Sequence, residues 1–298
     1  MDMKNLADKL KLLVSSKLEV VEVDYAALCA QPKDHIAHIM SHRKTAFLIK
    51  EVLNKTEVQQ LKQDLLALSE DHFELPHPGA RTFPPACSTG QLDEASVERF
   101  FGRSSHLNEQ LKQHLSLDLP QRFANLLQKL NNDVRPQLAT RRQDSAPYVH
   151  GTVRFIEPNT NAMGLTAPHT GWDYAHRNIK WSYAPLAEYA DVYKQISVFM
   201  VVQRPDIGGD FTLFNRSREQ YHNVKGLTVE DKNSGQRVEL FGSNAAYRTL
   251  TIEEGDALLF ADFDRWHMVE PVVGTRPRIS YGCWAAFDKH KGQLYYWS

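Results

Sequence analysis

The chain has 298 residues, a formal net charge of −1, 42% hydrophobic and 24% charged residues. That is ordinary globular composition, enough for one large domain or two small ones, and it gives no broad electrostatic reason to expect nucleic acid or an anionic membrane as partner. No apolar run approaches the roughly 18–20 residues that span a bilayer, and the opening Met1-Asp2-Met3-Lys4-Asn5 lacks the apolar core of a secretory signal.

Cys29, Cys87 and Cys283 are widely spaced and odd in number, with no CxxC pair. They are expected to be small buried or half-buried hydrophobes in a reducing, cytoplasmic setting. Leu6, Leu10, Leu13 and Val14 fall at helical spacing. Ala46-Phe47-Leu48-Ile49 reads as a strand, and Asn54-Lys55-Thr56-Glu57 as a helix start with Val58, Leu61, Leu65 and Leu66 on one face. Pro76, Pro78, Gly79, Pro84, Pro85 and Gly90 make 76–90 loop-like. Helices are predicted near 93–115 and 120–132, the second with Phe123, Leu126, Leu127 and Leu130 on one side.

From about 148 the texture changes to strands: 149–156, 196–202, 211–214, 249–252, 257–260, 267–273 and 278–287. Strands and turns without an alternating βαβ pattern, and without GxGxxG, suggest a sandwich or barrel rather than a dinucleotide fold. The segment 215–248 is long, polar and poorly patterned, as in a lid or a plain surface insertion. The expectation is one domain over 1–298, with 1–147 a mostly helical support and 148–298 the β core.

Three stretches carry chemistry. One is Pro168-His169-Thr170-Gly171-Trp172-Asp173; the next is Gly255-Asp256-Ala257-Leu258-Leu259-Phe260 with His267 beyond it; the last is Arg276-Pro277-Arg278-Ile279-Ser280. Non-haem iron(II) oxygenases use two neutral imidazoles, usually with one carboxylate, on one face of the metal. Residues i and i+2 on a strand point to one side and reach one metal. An arginine beyond them suits a bidentate grip on a co-substrate carboxylate. Arg278 precedes an apolar alternating run and is the inward candidate, with Ser280 on its face; Arg276, across Pro277, reads as a solvated charge.

The C-terminal half, roughly 148–298, resembles the 2-oxoglutarate/Fe(II) dioxygenase superfamily, with a weaker echo at 46–66. Gly208-Gly209-Asp210-Phe211-Thr212-Leu213-Phe214-Asn215 is similar to its GG-x-L-x-x-[YF]-N strand, Gly255–Phe260 to the approach to its distal histidine, and Arg278-Ile279-Ser280 to its R-x-S motif. The resemblance implies a double-stranded β-helix, a jelly-roll or cupin-like core with flanking helices. It also implies Fe(II) on His169 and His267, and 2-oxoglutarate on Arg278 and Ser280. Hydroxylases of the superfamily carry H-x-D or H-x-E, whereas here the motif reads His169-Thr170-Gly171.

Glycine has no side chain to coordinate iron, so chloride or bromide is expected to take that position beside Gly171. The chain further resembles the freestanding halogenases that act on hapalindole-type and welwitindolinone alkaloids. These share the H-x-G-x-D run, the GGE-type strand ending in Asn, the G-D-x-L-L-F segment and the C-terminal Tyr295-Tyr296-Trp297-Ser298. The implied reaction consumes O2 and 2-oxoglutarate, releases succinate, and installs halide on an unactivated sp3 carbon of a free small molecule, with no carrier protein. The N-terminal half departs from that family, which leaves the substrate open.

Asp173 offers a competing reading, a hydroxylase with an H-x-x-x-D triad. Positions i and i+4 lie about 13 Å apart on a continuing strand, so that triad needs a sharp turn at Gly171. A non-enzymatic cupin-like binding module is the alternative of another class. Arg154, Trp172, Asp173 and Asn215 are candidates to support the metal ligands or to face substrate; for Arg154 an ordinary ion pair is an equal expectation. His150 is a candidate neighbour of the site, and His176, His222 and His290 are expected to be structural or surface residues.

Overall fold

Apolar runs bounded by caps and turns set the elements. A computed structural model describes residues 18–86, 93–159, 168–217, 227–230, 237–240, 247–290 and 292–298. The 6–14 helix, Cys87 and His222 lie outside the described residues, as does most of 215–248.

Val20–Asp24 (β1) leads into Tyr25–Ala30 (α1) and His35–Met40 (α2), each helix started by an aspartate, Asp24 or Asp34, that accepts from a backbone N–H in the first turn. Ala46–Lys50 (β2) follows, then Lys55–Leu66 (α3). Asn54 caps α3 in a full capping box. Its side chain accepts from the Thr56 and Glu57 amides, and the Glu57 carboxylate accepts from the Asn54 amide. Val58, Leu61 and Leu65 are buried on α3, but Leu66 is 57% exposed and leaves the predicted face.

The predicted loop at 76–90 is instead partly strand. Glu74–His77 (β3) and Ala80–Phe83 (β4) pair antiparallel, with Gly79 at φ +80° in the turn. Glu94–His114 (α4) and Leu119–Leu130 (α5) match the predicted helices, capped by Asp93 and Asp118. Phe123, Leu126, Leu127 and Leu130 are all buried on α5.

Gln137–Leu138 (β5) and Thr152–Ile156 (β6) precede Gly171–Asn178 (α6) and Ala184–Ala187 (α7). Then come Ile196–Gln203 (β7), Ile207–Gly208 (β8), Phe211–Ser217 (β9), Leu227–Glu230 (β10), Arg237–Leu240 (β11) and Tyr247–Leu250 (β12). Ala257–Phe260 (β13), Arg265–Val269 (β14), Val272–Val273 (β15), Arg278–Phe287 (β16) and Leu294–Trp297 (β17) complete the chain.

The large sheet runs β1-β2-β13-β7-β16-β6-β4-β3, with β17 and β5 extending it from the far end of β16. Strands β12, β9 and β14 form the small sheet. The two sheets face each other across Leu48, Val201, Phe211, Leu213, Leu258 and Phe260, the apolar interior of a jelly roll. Helices cover the outer face of the large sheet. Phe123 of α5 meets Tyr281 of β16 edge to face, with ring centroids 4.6 Å apart. Five strands of the large sheet, β1 to β5, come from the part of the chain that reads as mostly helical.

Period-two alternation along β16 sorts its residues. Ile279, Tyr281, Cys283 and Ala285 join the core under the helices, which puts Arg278, Ser280 and Trp284 on the inner face. Arg154 of β6 pairs with Ser280 and shares that face. Cys283 is buried as expected, but Cys29 is exposed on α1, because the turn of that helix toward the core is occupied by Leu28.

Candidate active site

The two sequence-predicted histidines meet. His267 lies on β14 in the small sheet, and His169 forms an isolated antiparallel bridge with it. Each donates its amide to the other's carbonyl at 3.0 Å, and their rings lie 4.3 Å apart, centroid to centroid. The His267 Nδ1 sits 2.9 Å from the Arg265 carbonyl, which only accepts, so Nδ1 carries the proton and Nε2 keeps its lone pair. Burial pushes the His267 ring down to about 4, so it is neutral near pH 7. A buried neutral imidazole with its tautomer fixed by a backbone carbonyl is what a metal donor requires.

The chain does not continue as a strand past His169. Thr170 caps α6, and Gly171 is that helix's first residue. The two-residue strand spacing expected from the sequence is therefore absent; the backbone turns instead. Asp173 lies in the first turn of α6, where its carboxylate accepts the Thr170 hydroxyl at 2.7 Å. The carboxylate beside the histidines is another one, Asp262, in the turn between β13 and β14. Its Oδ1 lies 3.3 Å from His267 Nε2. The Gly171 amide donates to the Asp262 carbonyl at 2.7 Å, so the two segments are laced together. The Asp262 Oδ2 accepts from Gln195 Nε2 at 2.8 Å. Burial raises the Asp262 carboxyl above its usual range, and the Gln195 hydrogen bond opposes that shift. Among the described residues no group of three His, Cys, Asp or Glu side chains is arranged as a metal-binding cluster, so Asp262 stands as a neighbour of the histidine pair.

Arg278 begins β16 with only 3% of its surface exposed. Its Nε donates to the Gly209 carbonyl at 2.9 Å and its Nη1 to the Ser280 hydroxyl at 3.0 Å. Burial pushes its guanidinium down to about 10, still charged near neutral pH. Among the described residues no carboxylate lies within ion-pair distance of it. A buried cation held by neutral acceptors fits an anionic co-substrate. Arg278 borders a small cavity with Val201, Gly209, Phe211 and Leu250. Gly209, at φ +67°, brings its carbonyl to Arg278; a Cβ there would lie 3.1 Å from the Arg278 Cδ. Arg276, by contrast, is paired at the surface with Asp206 at 2.6 Å, as the sequence suggested.

The other candidates separate. Arg154 stacks over Trp284 at 5.0 Å, and its charge acts on Asp262, His267 and Arg278; among the described residues no carboxylate lies within ion-pair distance of it. Asn215 follows Leu213 on β9, and Leu213 pairs with His267, so Asn215 lies on the inward face. Trp172 stacks on His176 at 4.8 Å along α6. His150 bonds the Tyr296 hydroxyl at 2.9 Å, with no described contact to His169 or His267. Phe211 and Phe260 wall His267, with centroids at 5.5 and 4.7 Å. Short motifs do not point to Asp262 or Gln195. The one available signal is an acidic residue in the short turn between Phe260 and His267.

A family model described as the carrier-protein-independent halogenase WelO5 matches residues 18–298. The chain belongs to that family. Members of the WelO5 family act without a carrier protein, as the description states. No curated protein matches the chain. Among solved structures, it is similar to an N-substituted L-amino acid dioxygenase from Burkholderia ambifaria AMMD, at 15% identity and TM-score 0.56, covering 89% of this chain and 90% of that one. The same dioxygenase in complex with alpha-KG gives 13% identity and TM-score 0.55, covering 88% and 90%. These likenesses establish the jelly-roll fold of 2-oxoglutarate/Fe(II) oxygenases for this WelO5-family chain.

Proposed function

We propose that this protein is an Fe(II)- and 2-oxoglutarate-dependent halogenase that places chloride or bromide on an sp3 carbon of a freestanding small molecule. The observation that carries the reading is a glycine, Gly171, two residues past a histidine paired with His267, in a chain of the WelO5 family.

His169 and His267 would hold Fe(II), and the fixed tautomer of His267 supports that role. Arg278, with Ser280 aligning its guanidinium, would grip the distal carboxylate of 2-oxoglutarate; its burial without a carboxylate partner among the described residues supports this. Bound iron, with O2 and 2-oxoglutarate, supplies the oxidation of a C–H bond, while 2-oxoglutarate leaves as succinate. Gly171 offers no carboxylate of its own, which suits a halide at that side. Phe211 and Phe260 keep water from His267. Arg154 and Asn215 would face substrate or co-substrate, a role that their places on inward faces support.

We also infer one domain over the 298 residues, since strands from both halves share one sheet, and a cytoplasmic setting, in keeping with free Cys29 and Cys283. Among the described residues no helix is long and apolar enough to cross a membrane.

The test is anaerobic reconstitution with Fe(II), 2-oxoglutarate and chloride, then O2 and candidate substrates, read by mass spectrometry. A chlorine isotope pattern that depends on chloride is expected. A product carrying only added oxygen, unchanged by chloride, overturns the proposal. Absence of any 2-oxoglutarate turnover to succinate would make the protein a binding module instead.

A further inference from the structure

The space beside Gly171 is already occupied. A Cβ built on Gly171 would overlap the Asp262 carboxylate, at both Oδ2 and Cγ, and would lie 2.8 Å from Gln195 Nε2. None of these contacts is tolerable for bonded carbon, and the neighbours are not loose ends. The Asp262 side chain is buried and tied to Gln195, and its backbone carbonyl receives the Gly171 amide. Gln195 is itself fully buried, with its backbone carbonyl receiving the Phe263 amide at 3.0 Å. Position 171 is therefore glycine for a reason internal to this chain: the volume that a side chain would fill belongs to a carboxylate from the turn before β14.

When ionised, that carboxylate also carries the wrong sign for a neighbour of halide, although burial favours its protonated form. Two anions in contact inside a buried site repel far more strongly than in water. The cationic neighbour on this side is Arg154, whose charge acts on Asp262 from β6.

We propose that Asp262 is a specificity-determining residue, whose carboxylate competes with halide for the space beside Gly171. The inference rests on the halogenase reading for the identity of the competing anion, but its steric half stands without it. Gln195 acts as a positioning residue: it sets how firmly Asp262 holds that space. The chain would thus tune halide affinity through the turn at Asp262, rather than through residue 171 alone.

Two measurements test this. The first is a double-mutant cycle in thermal stability on Gly171→Ala, Asp262→Ala and the pair. Gly171→Ala alone is expected to destabilise, and the destabilisation to vanish largely in the Asp262→Ala background. Additive effects would mean that the two residues do not share the space, and would overturn the proposal.

The second uses the anaerobic Fe(II)–2-oxoglutarate holoenzyme, titrated with sodium chloride and followed by the iron-to-2-oxoglutarate charge-transfer absorption. Asp262→Ala is expected to tighten chloride binding by about tenfold or more, and Asp262→Asn, which removes charge but keeps volume, by less. Unchanged or weaker chloride binding in both variants overturns the proposal while leaving a chloride-responsive wild type a halogenase candidate. Chloride binding that is absent from the wild type but present in Asp262→Ala upholds the proposal and overturns the halogenase reading. No chloride response in any form, with 2-oxoglutarate absorption intact, overturns both.

Discussion

Replacing Arg278 by methionine separates a ligand-binding cation from a structural one. The guanidinium is buried, and that burial pushes it down to about 10 from 12.5, a cost of holding the charge on the order of 3 kcal/mol. Its hydrogen bonds to the Gly209 carbonyl and the Ser280 hydroxyl return about 1 kcal/mol each. The ligand-free protein is therefore expected to change stability by no more than about 1–2 kcal/mol on Arg278→Met, because the lost bonds and the relieved desolvation offset each other. Binding of 2-oxoglutarate behaves differently. Truncating one partner of a buried charge pair costs about 2–5 kcal/mol, which is at least about thirtyfold in Kd. Arg278→Lys keeps the charge but not the planar fork, and falls between. Urea unfolding gives the first quantity, and anaerobic titration of the Fe(II) protein with 2-oxoglutarate gives the second. A Kd moved by less than about threefold would refute the assignment of Arg278 to the co-substrate. A loss of more than about 4 kcal/mol in the ligand-free protein would show that Arg278 is structural.

Two further outcomes are expected. Asn54→Ala removes the side chain that accepts from the Thr56 and Glu57 amides, so unfolding free energy should fall by about 1 kcal/mol, while Asn54→Asp keeps the cap and should be near neutral; equal losses in both would exclude capping as the cause. Burial lowers His150 to about 4, so the unfolded chain takes up a proton near its ordinary value of 6.5, before the folded one does. That contribution is complete above about pH 6.5 and is lost as pH falls toward about 4, on the order of 2–3 kcal/mol. His150→Gln should flatten the fall in stability between those limits, and an unchanged slope in urea melts would contradict it.

Much of the site is legible in the sequence. His169, His267, Arg278 and Ser280 each stand in a short local motif, and strand alternation then puts Arg278 and Ser280 on one face. The long strand β7 is legible from its β-branched run, β16 from its apolar alternation, and α5 from its one-sided leucines. Short strands are legible where an apolar run marks them, as at β2 and β13. The β3–β4 hairpin hides in a segment punctuated by Pro76, Pro78 and Gly79, and it exists because β4 pairs with β6 from a distant part of the chain. Arg154 is marked in the sequence only by its place in the strand before the histidine motif; pairing of β6 with β16 sets it beside Ser280.

His169, His267, the glycine at 171 and the inward arginine can be picked out from the amino-acid order alone, because each stands in a short local motif, whereas the meeting of the two histidines is set by a bridge between distant segments. The family follows from it too, and more widely than the short motifs suggest: the matching pattern runs from 18 to 298, so the N-terminal half, expected to depart from the family, belongs to it. What stands beside Gly171 follows from long-range packing instead. Asp262 and Gln195 lie 91 and 24 residues beyond it in the chain, and they arrive there because the turn before β14 folds back against the start of α6. Asp173, two residues from the glycine, is drawn away into the first turn of that helix, where the Thr170 hydroxyl holds its carboxylate. A vacancy inferred from a missing side chain is a statement about one residue. Whether the space is empty depends on every segment packed against it, and here a distant carboxylate fills it.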